Sequence, residues 1–516
     1  MNTMLNGLKN ATNYTLTENG GITHKTTKSD LLDMFAMGAA MRNRPDSDVI
    51  LMFRKAFREN PVYALKCLFY IRDVRGGQGE RRFFRVVIRD MANYDVDTRA
   101  AIERNMDQIP EFGRWDDLYA FIDTPMQDKA LSIIKHQLAL DVQCKTPSLL
   151  AKWMPSENAS SHKTIQYGNI TRSYMNMTHK EYRKTLAVLR SRINIVEKLM
   201  SENRWDEIEF DKIPSKAGLV YKNAFARRDI IKAKYEKFAK DENTKVNAAT
   251  LYPYEVVEKA LRIPAVGSWE YNHSYNRHNE FETDRAMVNK YWANLKDYFD
   301  GAKLNALAVV DTSGSMHGTP INVAISLGMY CAERAGGPFA NHYISFASRP
   351  QLIECEGVDF VDKVHRIYQT NLVDNTNIEA VFDLLLQTAQ KNKCSQEDLP
   401  ENILIISDME FDAASRGGSY DWRTGKYVDQ FGFTKDQADT VMEGVAKKWA
   451  AAGYKMPHLI YWNVDARQNN IPMLGNGPIS YVSGFSPSIF QTIMTGKTGY
   501  ELMMECLNKD RYEEIH

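Results

Sequence analysis

Asp311, Ser313 and Ser315 stand at alternate positions in the string Asp311-Thr312-Ser313-Gly314-Ser315. One carboxylate and two hydroxyls so spaced form a set of hard oxygen donors, suited to Mg²⁺ or Mn²⁺ with water filling the remaining octahedral positions. Gly314 permits the tight turn that points both serines inward. Two further oxygen donors stand in the same relation to later segments: Thr376, in Asp374-Asn375-Thr376-Asn377 ahead of a helical pattern, and Asp408, after the apolar run Glu401–Ile406. Asp311 and Asp408 read instead as a hydrolytic carboxylate pair would lack a placed histidine, because His317 and His342 are near in number only. No P-loop, nucleophile elbow or HExxH helix is present. The chain is expected to be no enzyme.

A second set of residues could neutralise phosphates. Arg72, Arg75, Arg81, Arg82 and Arg85 surround the glycine turn at Gly76, Gly77 and Gly79. Lys163, Arg172, Lys180, Arg183 and Lys184 form a second group, and Lys216, Lys222, Arg227 and Arg228 a third. His162, Tyr167, Tyr174 and Tyr182 are interleaved with the second group, and such rings can stack on unpaired bases. The competing reading is a solvated helix face, with Arg72 beside Asp73 as an ion pair at a helix end. Trp115, Trp153 and Trp205 read as core anchors between helices. The three glycines read as a tight helix–helix turn rather than a phosphate cradle, since no strand precedes them.

The elements that must position these groups fall into two blocks. From about residue 30 to 295, apolar residues recur at three- and four-residue spacings. This predicts helices over Asp30–Met41, Asp48–Glu59, Pro61–Arg72, Gly79–Met91, Gln127–Ala139, Thr178–Ser201, Phe225–Asp241 and Tyr254–Leu261. Pro61 suits a first helical turn. Short connectors between amphipathic helices suggest an α-helical repeat, HEAT-like stack, although no clean period is present. The pattern changes near residue 303. Strands are predicted at Leu304–Val310, Asn341–Ser348, Glu401–Ile406, Pro457–Val464 and Ile479–Ser483. Helices are predicted at Ile321–Arg334, Ile378–Gln390, Gln437–Ala452, Pro487–Met494 and Tyr500–Leu507. Alternation of this kind implies right-handed crossovers and a mostly parallel α/β sheet, with ligands bound beyond the strands' carboxyl ends. The expected divisions are an N-terminal segment (1–29), a helical domain (30–298) and an α/β domain (299–516).

Bulk composition agrees with this division. A chain of 516 residues exceeds one hydrophobic core, and 44% apolar with 25% charged residues is ordinary for a globular protein. No apolar run reaches the roughly 18–20 residues that cross a bilayer, and the polar N-terminus lacks the apolar stretch of a secretion signal. Six scattered cysteines without a CxxC pair argue against a zinc site or disulfide framework, and with the rest predict a cytoplasmic protein. The net charge of zero hides an asymmetry. Residues 1–300 hold 47 Lys+Arg and 39 Asp+Glu, and residues 301–516 hold 18 and 26. A basic and an acidic half suggest different partners, or mutual attraction.

The donor set resembles the metal-ion-dependent adhesion site (MIDAS) of von Willebrand factor A domains, whose pattern is Asp-x-Ser-x-Ser, a later Thr and a later Asp. It maps onto Asp311, Ser313, Ser315, Thr376 and Asp408 with no member missing. The resemblance implies a metal held by these residues, whose shell a partner's acidic group often completes. A helical-repeat half followed by such a domain is similar to the TROVE family of Ro-like proteins, or to a sister group of the same layout. The strings Phe69–Phe84 (FYIRDVRGGQGERRFF) and Ile109–Asp123 (IPEFGRWDDLYAFID) carry that similarity. It implies helical repeats closed into a ring whose basic surface binds small structured RNAs and whose hole admits single-stranded ends of misfolded RNA. Two functions are therefore expected to compete: a non-catalytic protein binding small non-coding or misfolded RNA, and an adaptor or assembly component gripping a partner carboxylate through the metal.

Overall fold

The computed structural model describes Met4 and residues 12–193, 196–248, 251–273, 278–346, 349–370, 376–412, 419–421, 426–428, 434–435, 440–474, 479–493 and 496–516. Its first half is mainly helical. Asp46–Glu59, Pro61–Arg72, Arg82–Tyr94, Gln127–Gln143, His179–Arg192 and Pro253–Ala260 fall close to the expected segments. Asn60 caps the helix that opens with Pro61, accepting a hydrogen bond from Tyr63 N at 3.1 Å. The segment expected as Phe225–Asp241 is two helices, Ser215–Arg227 and Asp229–Lys240, because Arg228 adopts an extended backbone. Likewise Thr178 caps His179–Arg192, and a separate helix follows at Val196–Ser201. The glycine turn is a tight connector, as expected: a Cβ on Gly77 would collide with the Tyr70 carbonyl, and Gly79 has φ +68°.

The second half is built on a six-stranded sheet. Its strands are β3 (Ala306–Asp311), β4 (His342–Phe346), β5 (Gln351–Glu354), β6 (Asn402–Ser407), β10 (His458–Asn463) and β11 (Ile479–Ser483). They lie in the order β5-β4-β3-β6-β10-β11, parallel throughout except for β5, which runs antiparallel at one edge. Every residue of β3, β6, β10 and β11 is buried, as befits strands covered on both faces. The helix Thr319–Arg334 packs against β3 so closely that Gly328 leaves no room for a Cβ beside Val310. The order is doubly wound: successive crossovers run outward in opposite directions from β3 and β6, and the crevice between those two carboxyl ends is where such sheets bind ligands. Three short strands, β7 (Ser419–Asp421), β8 (Lys426–Val428) and β9 (Thr434–Lys435), form a separate antiparallel sheet.

Neither β5 nor these three strands has a counterpart among the expected elements. The N-terminal segment, for which no element was expected, contains an antiparallel hairpin of β1 (Tyr14–Leu16) and β2 (Ile22–His24). It packs on the second half, through bridges from Gly20 to Asp412 and from His24 to Ile471. The chain's end returns to the first half, where Tyr512 donates to Asp73 at 2.9 Å and Arg511 pairs with the same carboxylate at 2.5 Å. Buried residues of both halves belong to one hydrophobic cluster. No helix among the described residues is long and apolar enough to cross a membrane.

Candidate metal centre and basic cleft

β3 delivers Asp311 to the sheet's carboxyl edge, and the neighbouring β6 ends one residue before Asp408. The two ends are tied together: Ser407 Oγ donates to Asp311 Oδ2 at 2.5 Å. The Ser313 N–H donates to Asp311 Oδ1 at 2.9 Å, and Ser313 Oγ lies 3.0 Å from Ser315 Oγ. Thr376, ahead of the helix Ile378–Asn392, joins the same rim because its carbonyl accepts from Asp412 N at 2.9 Å. The neighbouring Asp374 and Asn375 lie outside the described residues. Asp311, Ser313, Thr376 and Asp408 are all at most 2% exposed.

Such burial has an electrostatic consequence. The Asp311 carboxyl is pushed up to about 7, by burial first and by the Asp408 carboxylate second. Burial also raises Asp408, and Glu410 to about 7. Among the described residues Asp408 Oδ2 is buried without a hydrogen-bond partner; the guanidinium of Arg467 stands 3.7 Å from it. An unmet buried carboxylate oxygen beside a second carboxylate and three hydroxyls has the donor chemistry that Mg²⁺ or Mn²⁺ takes. Among the described residues no cluster of three or more His, Cys, Asp or Glu side chains is arranged to hold a metal. The candidate is thus a mixed carboxylate–hydroxyl set.

Several residues at this rim have no part in the sequence expectation. Arg467 Nη2 donates to the Ser315 carbonyl, its Nε lies 3.4 Å from Asp465 Oδ2, and its Nη1 lies 3.2 Å from Glu18 Oε2. Glu410 accepts from Glu18 N at 2.7 Å and from Asn470 Nδ2 at 2.7 Å. Asp465 and Arg467 follow β10 directly, so the rule that ligands gather past strand ends could have pointed to them. Nothing local in the sequence points to Glu18, 290 or more residues from the donors it approaches.

The basic residues do not form one continuous patch of free cations. Arg72 departs most from expectation: it is buried, and its guanidinium pairs with the buried Asp117 at 2.8 Å rather than facing solvent. Arg75 pairs with Glu111 at 3.1 Å, Arg82 with Asp46, and Arg85 with Asp116 and Asp117. Arg172 pairs with Glu157 at 2.9 Å, Lys216 with Glu255 at 3.1 Å and Lys222 with Asp284 at 2.5 Å. Arg81, Lys163, Lys180, Arg183, Lys184, Arg227 and Arg228 are exposed, with Arg228 over the buried Trp205 ring. Tyr182 is buried and donates to the Pro155 carbonyl, so its ring is no stacking platform.

Arg85 and Lys163 meet in one place, an open cleft of about 1350 Å³ that Arg89, Lys152 and Arg190 also line, together with Trp153, His162 and Tyr167. Three of its four acids are already ion-paired: Asp46 with Arg82, Asp90 with Arg54, and Asp116 with Arg85 and Arg114. Among the described residues no acid pairs with Arg89, Lys152, Lys163 or Arg190, so the cleft retains positive charge. Lys163 Nζ lies 5.5 Å from the Tyr167 ring centre, and Arg114 covers the Trp153 ring at 3.9 Å. Trp153 therefore lines a surface rather than anchoring the core. Lys152, Arg89 and Arg190 were not among the expected contacts.

Comparison with known proteins adds four findings. A protein of Acanthamoeba polyphaga mimivirus, "Uncharacterized protein L728", is 29% identical over 527 residues, covering 94% of this chain and 85% of its own length. The crystal structure of the Deinococcus radiodurans RO (RSR) protein aligns over 91% of this chain and all of its own, at a TM-score of 0.48 and 13% identity. Residues 305–514 match a domain of unknown function, DUF7788. Residues 17–148 and 148–300, more than half of the chain, match another, and the chain belongs to that family, the domain of unknown function DUF2828.

Proposed function

We propose that the chain is a non-catalytic RNA-binding protein whose helical half takes unpaired stretches of small structured or misfolded RNA. The observation that carries this reading is the cleft in which Arg89, Lys152, Lys163 and Arg190 outnumber the unpaired acids beside Tyr167 and Trp153. Cations spaced along a groove track a phosphate backbone, and aromatic faces take bases without regard to sequence. The Ro-like strings Phe69–Phe84 and Ile109–Asp123 support it. Fluorescence anisotropy with a single-stranded and a stem-loop RNA tests it. With four cations engaged, single-strand affinity falls about 50-fold between 50 and 200 mM salt. Lys152→Glu with Lys163→Glu weakens it about tenfold or more at low salt. A folded protein that retains neither RNA at low salt would end this reading.

In the second half, of von Willebrand A type on this reading, Asp311, Ser313, Ser315, Thr376 and Asp408 would hold one Mg²⁺ or Mn²⁺. Bound there, the cation supplies a hard centre for a partner's carboxylate. The buried Asp408 Oδ2, without a hydrogen-bond partner among the described residues and with its nearest cation at 3.7 Å, favours this second role, that of a metal-dependent adaptor. Chelator-sensitive binding of a protein partner, lost in Asp311→Ala, supports it; binding unchanged by that substitution would rule it out.

A further inference from the structure

The tip of the N-terminal hairpin sits on the metal rim. Thr17 Oγ1 donates to the Phe411 carbonyl at 2.6 Å, and Glu18 N donates to Glu410 Oε2 at 2.7 Å. Asn19 Nδ2 donates to the Glu410 carbonyl at 2.6 Å and to Thr376 Oγ1, a candidate metal donor, at 3.3 Å. Gly20 bridges to Asp412. Across the rim, the Glu18 carboxylate is held by Arg467, the residue that also reaches the Ser315 carbonyl and the Asp408 carboxylate. One tight turn thus touches the loops of Thr376 and Asp408 directly, and that of Ser315 through Arg467.

The base of the hairpin is held through buried groups, whereas the tip is held in part through exposed ones. β2 is anchored by two backbone hydrogen bonds between His24 and Ile471, at 3.0 and 2.9 Å, and by the buried His24 ring on Glu443 at 2.9 Å. Glu18 and Asn19 are exposed. Close seating depends on Gly21, where a Cβ would lie 2.5 Å from the Phe411 carbonyl and 2.8 Å from that of Asp412.

We propose that the hairpin tip, with Glu18 as its carboxylate, is an in-chain occupant of the metal face, and that a partner's acidic segment reaches the cation only when the tip lifts. The inference rests on the metal reading above. It explains why the chain places a carboxylate, an amide and a guanidinium over a donor set proposed above to take a partner's carboxylate. A binding-competent state populated by only a fraction of molecules lowers apparent affinity by that fraction.

The test uses the full chain, unaltered and in two forms: Gly21→Ala, which lifts the tip without changing charge, and Glu18→Gln with Asn19→Ala. Each is titrated with Mn²⁺, followed by electron paramagnetic resonance. In saturating Mg²⁺ each is then titrated against a short fluorescent oligoglutamate peptide. A tip seated in about nine molecules of ten predicts about tenfold tighter peptide binding in both variants, abolished by EDTA. If all three chains load Mn²⁺ alike and the peptide binds the variants no tighter, the hairpin inference fails while the metal reading stands. If none loads Mn²⁺, both fail together. The second variant keeps the hairpin backbone, so misfolding of the Gly21→Ala chain leaves the test intact.

Discussion

Asp311 and Asp408 share a buried rim, and burial pushes each above the ordinary carboxylate range, with the Asp408 charge raising Asp311 further. A cation that neutralised the pair would bind only the folded chain and stabilise it. At about one hundred times its dissociation constant this is worth about 2.7 kcal/mol, or roughly 5–10 °C in the melting of a domain this size. Differential scanning fluorimetry with Mg²⁺ and then EDTA reads the shift, and Asp311→Ala removes it. Among the arginines, geometry separates structure from recognition. Arg72→Ala leaves the buried Asp117 with Arg85 and the Arg114 N–H against it and costs about 3 kcal/mol in urea unfolding. Lys163→Ala, at an exposed position without an acid partner among the described residues, leaves stability within about 0.5 kcal/mol and lowers the salt slope of RNA binding by about 0.7. The sequence placed both residues in one list, since a charge on a helix does not say which way it points.

Single elements follow local pattern where burial is strong. The all-apolar cores of β3, β6 and β10 and the Asn-Pro start of Pro61–Arg72 are readable because each signal lies within a few residues. β5, whose exposed residues alternate weakly, and the hairpin of three-residue strands β1 and β2 are not, because partners far along the chain stabilise them. The hairpin leads into the helix Asp30–Met37, whose Asp33 accepts from Thr26 Oγ1 and from Thr27 N at 2.7 Å. Burial pushes this carboxyl up to about 6. The folded chain therefore holds the proton more tightly than the unfolded one. The stabilisation is fully present below the unfolded value near 3.8 and is lost as pH rises through about 6. Asp33→Asn flattens stability across this window, an effect of at most about 3 kcal/mol, seen in urea midpoints measured from pH 4 to 7.

At the scale of the whole molecule, the two halves share a core and exchange their ends. The charge asymmetry of the sequence is partly spent between them, as in Arg285 on Asp359 at 2.6 Å. The five candidate donors were picked out by spacing and strand ends; the structure puts Asp311, Ser313 and Ser315 past β3 and Asp408 past the adjacent β6, and ties Thr376 to Asp412. The cleft was readable only in part: Lys163 and Arg85 stood among the residues singled out, whereas Lys152, Arg89 and Arg190 line it through packing of segments apart in sequence. On the proposed reading, RNA lies on the helices and a cation on the sheet. Ultraviolet crosslinking of a bound single-stranded RNA, mapped by peptide mass spectrometry, tests that division most directly. The account predicts crosslinks in the cleft segments that carry Trp153, His162 and Tyr167. RNA that binds but crosslinks only within residues 305–516 would contradict it.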